Sequence, residues 1–139
     1  NGENITNQLN LESTGSIASQ IATLADVRQV LLQKQQDFKR LPGLVADGRD
    51  MGTVVFPEAE NKVFLTASSL KRAERRYKQL IGKEIDANLV QIKKDIEARD
   101  RRDMEREIAP LAMSNTALYI DSSDMTIDEV VEEVLNLIQ

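Results

Sequence analysis

A loop at residues 47–52, DGRDMG, follows an apolar run directly and carries charged side chains between glycines. In an open α/β sheet, ligands bind beyond the carboxyl ends of the strands, where glycines let the backbone approach closely. Arg49 can make a charge-assisted bond to a phosphate, and Asp50 can accept a hydrogen bond from an amino group. A plain turn, in which Asp50 caps the backbone and Arg49 pairs with a surface carboxylate, explains the spacing about equally well.

A second candidate site lies in the charged segment RDRRDMER at residues 99–106. Arg99, Asp103 and Arg106 occupy positions i, i+4 and i+7, which share one face of a helix. Two guanidinium groups around a carboxylate suit a nucleoside monophosphate, because the arginines can reach phosphate or base while Asp103 accepts a ribose hydroxyl. By itself the segment fits better a solvated helix with exposed ion pairs. The DGRD loop in the same chain shifts the balance towards a site.

Ser19 and Arg28 form a third, weaker candidate in an apolar-patterned segment near the start of the sequence. Neither residue is diagnostic. On the residues alone, Ser19 is a helix residue that faces a neighbour, and Arg28 is a surface charge.

The composition limits the chemistry that these candidates can perform. The chain has 139 residues, 41% of them hydrophobic, which is enough for one domain with a sizeable core. Histidine and cysteine are absent, which excludes histidine-based triads, thiolate chemistry and disulfides, and we predict no metal ligands. The formal net charge of -5 argues against nucleic-acid binding. The polar start and short apolar runs predict a soluble protein without membrane contact, and the absence of cysteine fits a reducing cytoplasm.

The periodicity predicts helices and strands in alternation from residue 44 onwards, and hence an α/β core. A helix, or a helix pair bent near Asp26, should run from residue 16 to about residue 40, before the strand at 44–46. Further strands are expected at 62–66 and 117–120. Helices are expected to begin at residue 68 or 69, to span about 88–108 up to Pro110, and to follow a capping box of Thr126 and Glu129. We expect the last helix to bury its apolar stripe.

Three segments together resemble bacterial cytidylate kinases, which are P-loop nucleoside monophosphate kinases that phosphorylate CMP and dCMP with ATP. They are SIASQIATLADVR, ADGRDMGTVVFP and EARDRRDMEREIAPL. The resemblance implies a P-loop NTPase-type parallel sheet flanked by helices, with a mainly helical insert that binds the nucleoside monophosphate. Residues 1–42 would be the C-terminal part of that insert, and 43–139 the C-terminal part of the kinase core, with a short lid around 72–86.

The motif G-x-x-x-x-G-K-[ST] does not occur in the sequence. The resemblance therefore implies a later portion of the enzyme, without its first strand and phosphate loop, that does not catalyse phosphoryl transfer by itself. The strand before that loop would lie between the strands at 44–46 and 62–66, so these two should be separated by ~9 to 10 Å without a direct ladder.

The family pattern also implies roles for individual residues. The cytosine pocket would contain Ser19, Arg28, Asp50 and Arg106, while Arg49 and Arg106 would act on the phosphate as catalytic groups. Arg99 and Asp103 would hold the sugar. In the lid, Arg75 and Arg76 would contact ATP. The complete enzyme is expected to use ATP with Mg²⁺, to bind CMP, dCMP and ATP as small-molecule partners, and to be a monomer.

Two other functions remain open from the sequence. The chain fits a related nucleoside monophosphate kinase with a different base preference. It also fits a helical interaction domain without any ligand, in which residues 27–40 and 88–108 would face a partner. The second alternative leaves the DGRDMG loop unexplained.

Overall fold

The computed structural model describes residues 12–138. Its helices are α1 (Glu12–Ile21), α2 (Ala25–Gln36), α3 (Ser69–Ile81), α4 (Leu89–Glu105) and α5 (Ile127–Ile138), and its strands are β1 (Val63–Thr66) and β2 (Leu118–Asp121). A π-helical turn at Met51–Val55 follows the DGRD loop. The predicted mixture of helices and parallel strands is confirmed. Over the described residues, no helix is both long and apolar enough to cross a membrane.

The two strands pair in parallel, with Val63 opposite Leu118 and Thr66 opposite Asp121. The strands predicted at 62–66 and 117–120 are therefore present: β1 begins one residue later than predicted and ends where predicted, and β2 is shifted by one residue. The rings of Phe64 and Tyr119 stack across the pair with centroids 6.2 Å apart. Helices α3 and α4 form the connection between the strands, as a parallel pairing requires.

The strand predicted at residues 44–46 is wrong, because the segment is irregular and Val45 is 97% exposed. An apolar run becomes a buried parallel strand only when neighbouring strands take up its backbone groups and helices cover its faces. In residues 12–138 the sheet contains β1 and β2 alone. The spacing expected between two strands at 44–46 and 62–66 therefore does not arise.

Helices α3 and α4 begin at the positions that their capping residues predict. The Ser68 hydroxyl accepts a hydrogen bond from the Lys71 amide at 3.3 Å, and the Asn88 side chain accepts one from the Gln91 amide at 3.0 Å. Helix α4 ends at Glu105, earlier than the predicted end near residue 108. The backbone of Arg106 is already extended, so the helix stops well before Pro110.

The leading segment forms a helix pair, which was one of the two predicted arrangements; the other was a single helix. The break lies at residues 22–24, and Leu24 is the N-cap of α2 without a side-chain hydrogen bond. Asp26, near which the bend was expected, lies in the first turn of α2, where a negative charge interacts favourably with the helix dipole. Helix α2 ends at Gln36, short of the predicted residue 40.

Helix α5 has the predicted capping box but not the predicted burial. The Thr126 amide donates to Glu129 Oε2 at 2.7 Å, and the Glu129 amide donates to Thr126 Oγ1 at 3.3 Å. No residue of α5 is buried, and Ile127 is 82% exposed. An amphipathic pattern defines an apolar face, but burial needs a facing surface, which the described residues do not provide.

The interior contains two different groups of side chains. The apolar group lies around the π-helical turn, the sheet and the helices α3 and α4, and comprises Val55, Phe56, Ala67, Ala73, Ile92 and Ile120. The second group is polar and comprises Ser19, Asp50, Asp103, Arg106 and Ser122. Because buried charges are stable only when they are paired, the polar group marks the part of the fold that needs a functional explanation.

Candidate functional site

A cavity of about 660 Å³ lies between α1, α2, the DGRD loop and the C-terminal end of α4. It has the size of a small-molecule site. Much of its wall is apolar, including Leu32 and Val54. The polar residues predicted for a nucleotide site all line it: Ser19, Arg28, Arg49, Asp50, Arg99, Asp103 and Arg106.

Asp103 is the carboxylate at one side of this cavity and is only 2% exposed. The Ser19 hydroxyl donates to its Oδ1 at 2.8 Å. Arg49 Nε lies 3.0 Å and Arg99 Nε 3.7 Å from its Oδ2. The two guanidinium groups compensate the buried charge, and they come from the loop and from the preceding turn of α4.

Asp50 is the second buried carboxylate, and the π-helical turn fixes its position. Its backbone carbonyl accepts hydrogen bonds from the amides of Val54 at 2.9 Å and Val55 at 3.2 Å. Its side chain accepts a hydrogen bond from Arg28 Nη2, and Arg106 Nη2 lies 3.7 Å from its other oxygen. Asp50 thus stands between an arginine of α2 and an arginine from the end of α4.

Arg106 connects the two carboxylates. Its Nε donates to the Ala109 carbonyl at 2.6 Å, and its Nη1 lies 4.0 Å from Asp103 Oδ1. Burial lowers the pKa of Arg106 from its ordinary value, and the positive charge of Arg28 acts in the same direction, against the opposite effect of Asp50 and Asp103. The buried Nη2 makes no hydrogen bond within the described residues.

The structure therefore brings together the predicted base, sugar and phosphate residues, although they are far apart in sequence. Each carboxylate has more than one cation near it, so the site can bind an anionic ligand that also carries hydrogen-bond donors. The early end of α4 contributes to this arrangement, because the extended backbone at Arg106 directs its side chain back to the carboxylates.

The two arginines predicted for the lid lie outside the cavity lining. Arg75 donates from Nη1 to the Ser122 hydroxyl at 3.2 Å, and also donates to the Ser122 carbonyl at the end of β2. Arg76 donates to Gln79 at 3.3 Å. In residues 12–138 no cluster of three or more acidic side chains is placed to hold a metal ion.

Sequence reasoning missed the apolar side of the cavity and one carboxylate behind it. The apolar residues Leu31 and Leu32 of α2 line the cavity, whereas the periodicity alone indicated a helix-packing stripe. Asp100 contacts Arg49 at 3.6 Å and accepts hydrogen bonds from Arg72. Its position, three residues before Asp103 on the same helix, was the available signal.

The geometry agrees with the comparison to known proteins. A family model described as cytidylate kinase matches residues 1–139. The chain belongs to the cytidylate kinase family. Its parallel strand pair and flanking helices are accordingly part of the P-loop kinase type of α/β fold.

Individual cytidylate kinases are similar over nearly the whole chain. The chain is 54% identical to the cytidylate kinase of Methylococcus capsulatus over 97% of its length, which is 61% of that protein. It is 50% identical to the cytidylate kinase of Pasteurella multocida over 100% of its length, again 61% of that protein. It is also 54% identical to the cytidylate kinase of Nitrosococcus oceani over 96% of its length, which is 59% of that protein. The chain thus spans about three-fifths of the length of these relatives.

Proposed function

We propose that the intact protein is a cytidylate kinase that transfers a phosphoryl group from ATP to CMP and dCMP. It would thereby be a phosphotransferase with a phosphate group as acceptor, in pyrimidine nucleotide metabolism. The observation that carries the proposal is the cavity in which two buried carboxylates, Asp50 and Asp103, stand among arginines from three parts of the chain. A helical interaction domain without a ligand would not need this arrangement.

The base would bind on the Asp50 side of the cavity. Cytosine presents an exocyclic amino donor next to acceptor atoms, so a selective pocket needs a carboxylate together with donors. Asp50 supplies the acceptor, and Arg28 and Arg106 flank it as donors. Ser19 would complete the pocket, since its hydroxyl lies at the cavity wall next to Asp103.

The sugar and phosphate would bind on the Asp103 side. Arg99 and Asp103 would hold the sugar, and the Asp103 carboxylate would accept a hydrogen bond from a sugar hydroxyl. Arg49 and Arg106 would contact the phosphate, where their positive charges act on the reaction itself. In that reaction a CMP phosphate oxygen forms a bond to the γ-phosphorus, the bond to the bridging oxygen breaks, and ADP leaves with that electron pair.

The ATP side of the reaction is assigned only in outline. Arg75 and Arg76 on α3 are proposed to contact ATP from the lid. ATP would be used with Mg²⁺, which neutralises phosphate charge when bound, but we assign no ligand of the metal to residues 12–138. We further propose that the intact enzyme is a cytoplasmic monomer whose partners are nucleotides and not nucleic acids or membranes.

The proposal is tested by comparing CMP, UMP and AMP as phosphate acceptors for the full-length protein with saturating ATP. We expect kcat/KM to be highest for CMP, because uracil has no exocyclic amino donor to place opposite Asp50, and adenine carries its amino group on a larger ring system without a carbonyl acceptor. A preference for UMP or AMP would assign the protein to a related nucleoside monophosphate kinase activity. The absence of any phosphoryl transfer would contradict the proposal altogether.

A further inference from the structure

Asp100 does not line the cavity, yet it contacts arginines from two different parts of the molecule. Arg72 of α3 donates to it from both terminal nitrogens, at 3.0 Å to Oδ1 and 2.5 Å to Oδ2. Arg49 of the DGRD loop lies with Nη2 at 3.6 Å from Oδ1. The Asp100 side chain is 17% exposed, so these contacts are largely shielded from water.

Arg49 consequently makes ion-pair contacts through two nitrogens of its guanidinium group. Its Nε faces Asp103 at 3.0 Å, and its Nη2 faces Asp100 at 3.6 Å. The two carboxylates lie three residues apart on α4 and so share one face of the helix. A planar group held at two nitrogens keeps one orientation, whereas one held at a single nitrogen can rotate about that contact.

Arg72 in turn fixes Asp100. Besides its two bonds to the carboxylate, its Nε donates to the carbonyl of Ala67, directly after β1, at 2.9 Å. The orientation of the Arg72 guanidinium group is therefore fixed by hydrogen bonds to the end of β1 and to α4. A continuous set of contacts leads from the end of β1 through Arg72 and Asp100 to Arg49 in the cavity.

We propose that Asp100 is a positioning residue that orients Arg49 for the phosphate of the nucleotide, and that Arg72 anchors Asp100. This inference rests on the proposed function, since Arg49 is assigned to the phosphate there. It also makes the catalytic geometry dependent on α3, the helix on which the proposed ATP contacts lie.

The test is a double-mutant cycle in the full-length enzyme, with kcat and KM for CMP measured at saturating ATP. Asp100→Asn should lower kcat about tenfold and change KM by no more than about twofold, because orientation matters most in the transition state. In an Arg49→Ala background the same substitution should change kcat by less than about twofold. An equal factor in both backgrounds would overturn the proposal, since an effect of charge or stability persists without Arg49.

Glu97→Gln is the matched control, because Glu97 also joins α4 to α3 but does not touch Arg49. Its carboxylate accepts a hydrogen bond from the Ser69 hydroxyl at 2.8 Å. We expect kcat to stay unchanged in this variant. A loss as large as that of Asp100→Asn would show that general docking of α3, and not the orientation of Arg49, is responsible.

Arg72→Lys keeps the charge but loses the two-bond fork, and it serves if Asp100→Asn does not fold. It should lower kcat in the presence of Arg49 and have no effect on kcat in the Arg49→Ala background. An unchanged kcat with Arg49 present would remove Arg72 as the anchor.

A readout independent of activity separates this inference from the proposed function. Relaxation of the arginine Nε–H signals in the nucleotide-free protein should show greater mobility of Arg49 in Asp100→Asn, and not in Glu97→Gln. Unaltered Arg49 mobility would contradict the inference even if the enzyme phosphorylates CMP. Increased mobility would support the orienting contact even if the substrate is a different nucleotide.

Discussion

At the scale of single residues, the site is a set of opposite charges that satisfy one another inside the fold. Asp50 and Asp103 are buried, and each lies near guanidinium groups. Removing one member of such a set leaves its partners desolvated and unpaired, which is why substitutions here have larger effects than those at exposed ion pairs.

Asp50→Ala should lower kcat/KM for CMP in the full-length enzyme, because the acceptor for the cytosine amino group is lost. The fall should correspond to ~1 to 3 kcal/mol of transition-state stabilisation. Steady-state kinetics with CMP and UMP measure the effect, and the loss should be larger for CMP. Asp50→Asn, which keeps the side-chain volume, controls for disturbance of the π-helical turn. Unchanged kinetics in the alanine variant would remove Asp50 from the pocket.

Arg106→Lys should impair turnover although the charge is kept. Lysine cannot donate to the Ala109 carbonyl and at the same time place a second nitrogen near Asp50, as the guanidinium group does. We expect a fall in kcat/KM that corresponds to about 1.5 to 3 kcal/mol of transition-state stabilisation, the range for a hydrogen bond to a charged group. Arg101→Lys, at an exposed position of α4, is the control and should be silent. Equal activity of both variants would make Arg106 a purely structural charge.

Gly15 in α1 leaves room for the guanidinium of Arg99. A Cβ at this position would lie 2.8 Å from Arg99 Nη1, so the flexible end of that side chain must move. Gly15→Ala should therefore raise the KM for CMP while raising the free energy of unfolding by about 0.5–1 kcal/mol, since alanine favours helix.

Urea denaturation and steady-state kinetics on the same preparation measure the two effects of Gly15→Ala. Gln20→Ala, on an exposed position of α1, should leave the KM unchanged. A lower free energy of unfolding in Gly15→Ala would mean that the displaced Arg99 finds no alternative place.

At the scale of elements, local signals predicted where helices begin better than where side chains are buried. Ser68, Asn88 and the Thr126 box act within one turn, so sequence alone specifies them. The strand predicted at 44–46 and the buried stripe of α5 depend on surfaces elsewhere, and both predictions were wrong. The end of α4 was also misplaced, because Arg106 leaves the helix and its side chain lies near Asp50, which is distant in sequence.

The candidate site was predictable to the extent that its residues carry a family pattern. Spacing alone placed Arg99, Asp103 and Arg106 on one face but could not join them to the DGRD loop. Ser19 had no signal of its own, although its hydroxyl contacts Asp103 from 84 residues away. Asp100 was not predicted as part of the site, because an acidic residue in a charged helix is ordinarily exposed to solvent.

The cap of α5 should make its stability depend on pH. Hydrogen bonds from the Thr126 amide and then its hydroxyl lower the pKa of Glu129 below 4.5. Because the folded pKa lies below the unfolded one, the contribution is complete above about pH 4.5 and is lost as the pH falls through the folded pKa.

Glu129→Gln should accordingly lower the free energy of unfolding at pH 7, and its difference from wild type should shrink in acid. Chemical denaturation at several pH values measures this difference. Glu132→Gln, also exposed on α5, is the matched control and should show no such trend. A difference that does not vary with pH would mean that the negative charge of Glu129 does not contribute to the cap.

At the scale of the whole molecule, an acidic chain presents a cationic site. The formal net charge is -5, yet arginines from α2, the loop and α4 line one cavity. The acidic exterior repels long polyanions. A small phosphorylated ligand can enter the cavity, where it interacts mainly with the charged side chains that line the cavity.

The ion pairs inside that cavity also have a consequence for binding in salt. Arg49 already lies beside Asp103, and Arg106 beside Asp50, so the protein supplies its own counterions at the site. A nucleotide phosphate that engages these arginines displaces fixed carboxylates and releases few dissolved anions. The logarithm of the affinity should then fall only slowly with the logarithm of the salt concentration, less steeply than the number of arginines suggests.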